Sequence, residues 1–97
     1  MRIITFGTIR AYIEANPESD IALREWHTKT RQAKWKCFAD VKNTFNSVDS
    51  VGNDRFVFNI KGNTYRLVAM ILFKPGNVYI RFIGTHKEYD KIDCSMM

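Results

Sequence analysis

No apolar run in this chain approaches the roughly 20 residues that a membrane-spanning helix needs. The opening MRIITFGTIR also lacks the long apolar core and small-residue cleavage site of a secretory signal. Both absences predict a cytoplasmic protein with no membrane partner. Cysteine is scarce too: Cys37 and Cys94 stand far apart, with no CxxC and no Cys/His spacing suited to zinc. They are expected to be reduced thiols, Cys37 packed and Cys94 in a fraying tail, and no metal or other cofactor is implied. Internal repeats and low-complexity tracts are missing as well, which excludes solenoids and disordered linkers. At 97 residues, with a hydrophobic fraction of 45% and an aromatic fraction of 13%, the chain is apolar enough for one core and too short for two. One domain over residues 1–97 is predicted.

Acidic residues are absent from one long stretch. From Arg55 through Lys87 there are six basic residues (Arg55, Lys61, Arg66, Lys74, Arg81 and Lys87) and no Asp or Glu. This half therefore projects a positive field within a chain of formal charge +5. Such a field suits a polyanion. A solvated basic face is the plain alternative, and charge does not choose between them.

What is present is a change of period. RIITF has β character, and in GTIRAYIEANPES the residues Ile9, Tyr12 and Ile13 recur at helical spacing until Asn16-Pro17 breaks it. Ser19 or Asp20 is placed to cap a second helix carrying Leu23 and Trp26 on one side. WKCFADVKNTF has helical spacing again, with Trp35, Phe38, Val41 and Phe45 on one face. Val48 to Asn53 has the polar composition of a turn. The period then falls to two in RFVFNIK, which puts Phe56, Phe58 and Ile60 on one face; Gly62-Asn63 suits a hairpin turn, and TYRLVAMILF follows as a strand buried on both faces. After a Pro-Gly turn in KPGN, VYIRFIGTH is a third strand. The order predicts an α+β domain: an N-terminal strand and two to three helices packed on a small antiparallel sheet.

A tight Gly62-Asn63 turn opposes Asn59 to Arg66 and Lys61 to Thr64. If KPGN is a four-residue loop, Phe73 faces Val78 and Arg66 faces Thr85. Asn59, Lys61, Arg66, Arg81 and Thr85 are then expected on one surface, and a single register slip would scatter them. An arginine inside an apolar strand needs a phosphate or an acid. For Arg66 the structural alternative is an ion pair with Asp40 or Glu25, and the residues leave the two readings level. The strand ends in GTHKEYDKID, Gly84 to Asp93. There His86 is suited to proton transfer near neutral pH or to a simple strand-end hydrogen bond. Tyr89 is suited to base stacking, hydrogen bonding or core packing, Glu88 and Asp90 are candidates to orient His86, and His27 is expected to be a surface residue without a role.

WKCFADVKNTF, VFNIKGNTYRLVAMILF and VYIRFIGTHKEYDKID, in that order and spacing, resemble the HigB family of bacterial toxins within the RelE-like group of RNA endonucleases. The resemblance runs from the second helix to Asp93. It implies a RelE-like toxin fold and metal-independent cleavage of mRNA, generally on the translating ribosome, with neutralisation by a helix-turn-helix antitoxin of the HigA type. It also implies that the RNA 2′-hydroxyl attacks the adjacent phosphate while the protein positions groups and moves protons. Asn59, Asn63, Arg66, Arg81, His86, Tyr89 and Asp90 fall on positions typical of the family pattern. On this basis Arg66, Arg81, His86 and Tyr89 are expected to be catalytic, the arginines at the scissile phosphate and His86 as general acid or base. Asn59, Lys61 and Lys87 are candidate RNA contacts, the lysines at positions where more variation is expected. A non-catalytic RNA-binding or interaction module using the same basic face is the competing reading. A small structural partner protein, with Arg66 paired to a helix acid, is a third.

Overall fold

The computed structural model describes residues 1–92, apart from the side chain of Phe6. A two-residue strand β1 (Arg2–Ile3) leads into α1 (Phe6–Ala15), a 3-10 turn (Pro17–Ser19), α2 (Asp20–Gln32) and α3 (Phe38–Thr44). Four strands follow, β2 (Val48–Gly52), β3 (Arg55–Ile60), β4 (Tyr65–Leu72) and β5 (Asn77–Thr85), and then a single turn of helix, α4 (His86–Tyr89). They form one sheet in the order β1-β5-β4-β3-β2.

The α+β expectation holds, but the sheet is mixed rather than antiparallel, because β1 runs parallel to β5 with Arg2 beside Asn77. A parallel partner is reached only through a long crossover, here the helices, and a two-residue strand carries no pattern that names its neighbour. The segment expected to be a turn at Val48 to Asn53 is strand β2, paired antiparallel with β3. Its two valines explain the miss. Val48 enters the main core and Val51 packs near Val57 and Val68 on the other face, so the apolar positions do not repeat every second residue.

Helix propensity and burial agree elsewhere. α1 buries Ile9 and Ile13, and α2 buries Leu23, Trp26 and Thr30. Ser19 occupies the N-cap position of α2 without a side-chain cap bond to it; its hydroxyl donates back to the Asn16 carbonyl at 2.7 Å. The helix ends at Gln32 and Ala33 is extended, so Trp35 lies outside α3. It is still buried, and its Nε1 donates to Thr44 Oγ1 at 2.9 Å. Cys37, expected to be packed, is exposed, because it is the extended N-cap residue of α3 and lies outside the helix face that enters the core. Cys94 lies outside the described residues.

The main core joins the helices to one sheet face through Phe56, Phe58, Ile60, Leu67, Ala69 and Ile71. Phe58 makes edge-on contacts with Trp26 and Phe45 at centroid distances of 5.4 and 5.3 Å. Tyr65 closes this core at the hairpin end, where its hydroxyl donates to Glu18 Oε1 at 2.8 Å. Burial and that bond push its phenol up to about 12. On the opposite face a small second cluster, Val57 and Val68 with Val51, Phe82 and Tyr89, is covered among the described residues by the single turn α4 and by none of the longer helices, and in that sense this face is helix-free. β4 is thus apolar on both faces, as expected for the central strand of the sheet.

Candidate active site on the helix-free face

Register decides which residues share this face. Asn59 pairs with Arg66, as expected, and Ile60 with Tyr65. Across β4 and β5 the expected alignment is replaced: Leu72 pairs with Asn77, Arg66 with Gly84, and Tyr65 with Thr85. The β4–β5 loop is therefore residues 73–76, one position earlier than KPGN, with Gly76 N–H bonded to the Leu72 carbonyl at 2.8 Å. A bulge then takes back one of the two positions of shift and inverts the faces, since Val68 opposes Phe82 while Ala69 opposes Ile80. Arg81 is the extra residue, exposed and without a partner in the β4 register. Beyond it the alternation inverts, as bulges do. Phe82 and Gly84 join the Arg66 face, while Ile83 packs on the main core and Thr85 lies opposite buried Tyr65.

Thr85 consequently leaves the surface expected to hold it, and Lys61 leaves it for a separate reason. Lys61 sits in the hairpin turn at φ 54, and its Nζ donates to the Glu18 carbonyl at 3.3 Å, on the helical side. Asn59 keeps its register, but its amide donates to Ser47 Oγ and so ties β3 to the segment before β2.

Arg66 is half-buried, and its Nη1 makes long contacts to the carbonyl oxygens of Asn63 and Tyr65, both at 3.4 Å. The helix acids are engaged elsewhere: Glu25 pairs with Lys29 at 2.8 Å, and an Asp40 oxygen accepts from Lys36 N–H at 2.8 Å. Among the described residues no carboxylate lies within ion-pair distance of Arg66. Among the described residues its guanidinium therefore meets neutral oxygens alone.

The corner that holds Arg66 also holds His86. Thr64 accepts from His86 N–H at 3.3 Å, next to the Asn63 carbonyl that Arg66 contacts. α4 is fixed here by a capping box: Glu88 N–H donates to Thr85 Oγ1 at 3.2 Å, and Thr85 N–H donates to Glu88 Oε1 at 2.8 Å. Those bonds from Thr85 hold the Glu88 carboxyl below its ordinary value. Glu88 is therefore committed to the cap, whereas Asp90 Oδ2 lies 2.9 Å from His86 Nδ1. Tyr89 is half-buried against Val57 and Val68, which anchors α4 on the sheet. Lys87 is exposed on α4.

Gly84 is buried beside Arg66, and a Cβ there would meet the Phe82 ring at 2.5 Å. Phe82 and Gly84 were assignable to this face only by knowing the bulge. The consecutive apolar pair Phe82-Ile83 is compatible with either alternation, and that ambiguity was the one available signal.

Residues 19–92 match the family described as HigB_toxin, RelE-like toxic component of a toxin-antitoxin system. The chain belongs to the HigB toxin family. An mRNA interferase toxin HigB of Escherichia coli K12 is 33% identical over 92 residues, covering 93% of this chain and 88% of the relative. The mRNA interferase HigB of Shigella flexneri matches with the same identity and coverage. That of Escherichia coli O6:H1 is 23% identical over 94 residues, covering 95% of this chain and 91% of its own. The HigB family match includes β2 to β5 and α4, and among the described residues no helix is long and apolar enough to cross a membrane.

Proposed function

We propose that this HigB-family toxin is an endoribonuclease that cleaves mRNA on its helix-free sheet face. The observation that carries the reading is Arg66: a cation in the central strand, among the described residues in contact only with neutral carbonyl oxygens, beside a histidine anchored on the same hairpin corner. The relatives in Escherichia coli K12 and Shigella flexneri are named mRNA interferases, which supports it.

In the proposed reaction the 2′-hydroxyl oxygen forms a bond to the neighbouring phosphorus while the bond from phosphorus to the 5′-oxygen breaks. The products are a 2′,3′-cyclic phosphate and a free 5′-hydroxyl. One proton leaves the 2′-hydroxyl and one reaches the departing oxygen; His86 carries one of these transfers. Arg66 and Arg81 hold the phosphate oxygens as negative charge builds. Tyr89 borders the RNA on its anchored turn, and Lys87 adds an exposed phosphate contact. Asn59 and Lys61 act structurally, through Ser47 and Glu18. The translating ribosome presents the mRNA, and a helix-turn-helix antitoxin of the HigA type blocks the toxin.

The test is purified toxin added to a cell-free translation system and, separately, to the same mRNA alone. Cyclic-phosphate ends in the translating arm support both cleavage and ribosome dependence. Equal cutting in both arms supports cleavage without the ribosome. RNA that is bound but intact in both arms favours the non-catalytic RNA-binding module.

A further inference from the structure

We propose that Asp90 is a positioning residue for His86: its carboxylate accepts the Nδ1 proton, fixes the imidazole in one tautomer and orientation, and so presents Nε2 to the RNA. The inference rests on the endoribonuclease reading for its purpose, but not for its geometry.

Three observations carry it. Asp90 Oδ2 lies 2.9 Å from Nδ1, within charge-assisted hydrogen-bonding distance. The spacing is i,i+4, and Asp90 N–H bonds the His86 carbonyl at 3.0 Å, so the backbone itself sets the two side chains one above the other. The other nearby carboxylate, Glu88, is held by Thr85 in the capping box. A neutral imidazole whose Nδ1–H is donated to a carboxylate leaves Nε2 as the acceptor, the state a general base requires; once Nε2 has taken a proton, the same carboxylate faces the cation formed. His86 and Asp90 are about half exposed, at 48% and 56%. A pair this open adds little to stability, so removing Asp90 leaves a folded protein on which its role can be measured.

The chain contains two histidines, so long-range proton–nitrogen NMR on imidazole-labelled protein, with His86→Gln for assignment, resolves the ring directly. In alkaline buffer, where imidazoles are neutral, wild type is predicted to carry the proton on Nδ1 of His86. In Asp90→Ala the proton moves to Nε2, and in Asp90→Glu it returns at least in part to Nδ1. Cleavage turnover by Asp90→Ala falls at least tenfold with KM unchanged, and Asp90→Glu recovers part of it. A wild-type ring protonated on Nε2, or the same tautomer in wild type and Asp90→Ala, overturns the proposal, as does unchanged turnover in Asp90→Ala. The NMR arm uses no RNA, so failure of wild type to cut any message would count against the nuclease reading alone.

Discussion

Arg66 is a costly residue to place in a central strand unless something anionic meets it, and among the described residues its partners are two carbonyls at 3.4 Å. Removing one preorganised donor to a developing anion slows a reaction by roughly 10²–10³. Arg66→Ala is expected to lose about that factor in cleavage rate while unfolding at nearly the wild-type temperature, because no ion pair among the described residues is broken. Arg66→Lys should restore only part of the rate, since an ammonium lacks the planar fork that grips two phosphate oxygens. Gly84 tests the neighbouring packing. A Cβ 2.5 Å from the Phe82 ring forces the ring or the strand to shift, so Gly84→Ala is expected to destabilise by about 1–3 kcal/mol, measurable by denaturant titration. A wild-type midpoint would mean that the ring moves freely and shapes nothing.

At the scale of elements, the cap on α4 makes a pH prediction. Glu88's carboxyl is depressed by its bonds from Thr85, so its contribution is present above the ordinary carboxylate pKa and is lost as pH falls through the lowered one. The Thr85 and Glu88 amide resonances should move together as pH falls below the ordinary carboxylate range, and Glu88→Gln, which accepts the same bond without titrating, should flatten that response. Much of this level was legible in the sequence. Period two in RFVFNIK located β3, the hairpin opposed Asn59 to Arg66, and Asn16-Pro17 ended α1 where the chain needed to turn. The bulge at Arg81 was not legible, because one unpaired residue leaves composition unchanged yet exchanges the faces of everything after it. β2 escaped for a related reason: an edge strand with valines three apart satisfies two different faces and no simple period. The role of Arg66 was half legible. Its chemistry asked for an anion or an acid, and only the structure shows that the two helix acids, Glu25 and Asp40, are paired with other groups.

For the whole molecule, the acid-free stretch from Arg55 to Lys87 brings Arg66 to a sheet face with an apolar floor of Val57, Val68 and Phe82, where Asp49 on β2 pairs with Val57 at the far edge. Binding of an uncleavable 2′-deoxy substrate should weaken as salt rises, and Arg66→Ala should reduce the slope of log affinity against log salt by about one. Lys61→Ala should leave that slope unchanged, because its ammonium reaches Glu18 on the other side. A loss equal to that of Arg66→Ala would show that the hairpin turns over onto the RNA. The central claim, that a HigB-family fold cuts mRNA with Arg66 at the reacting phosphate, is tested most directly by primer extension on a translated message after induction. Wild type and folded Arg66→Ala are compared at equal protein levels. The account predicts discrete new 5′ ends with wild type and their loss in the variant. Intact message with wild type, or identical ends from both proteins, would contradict it.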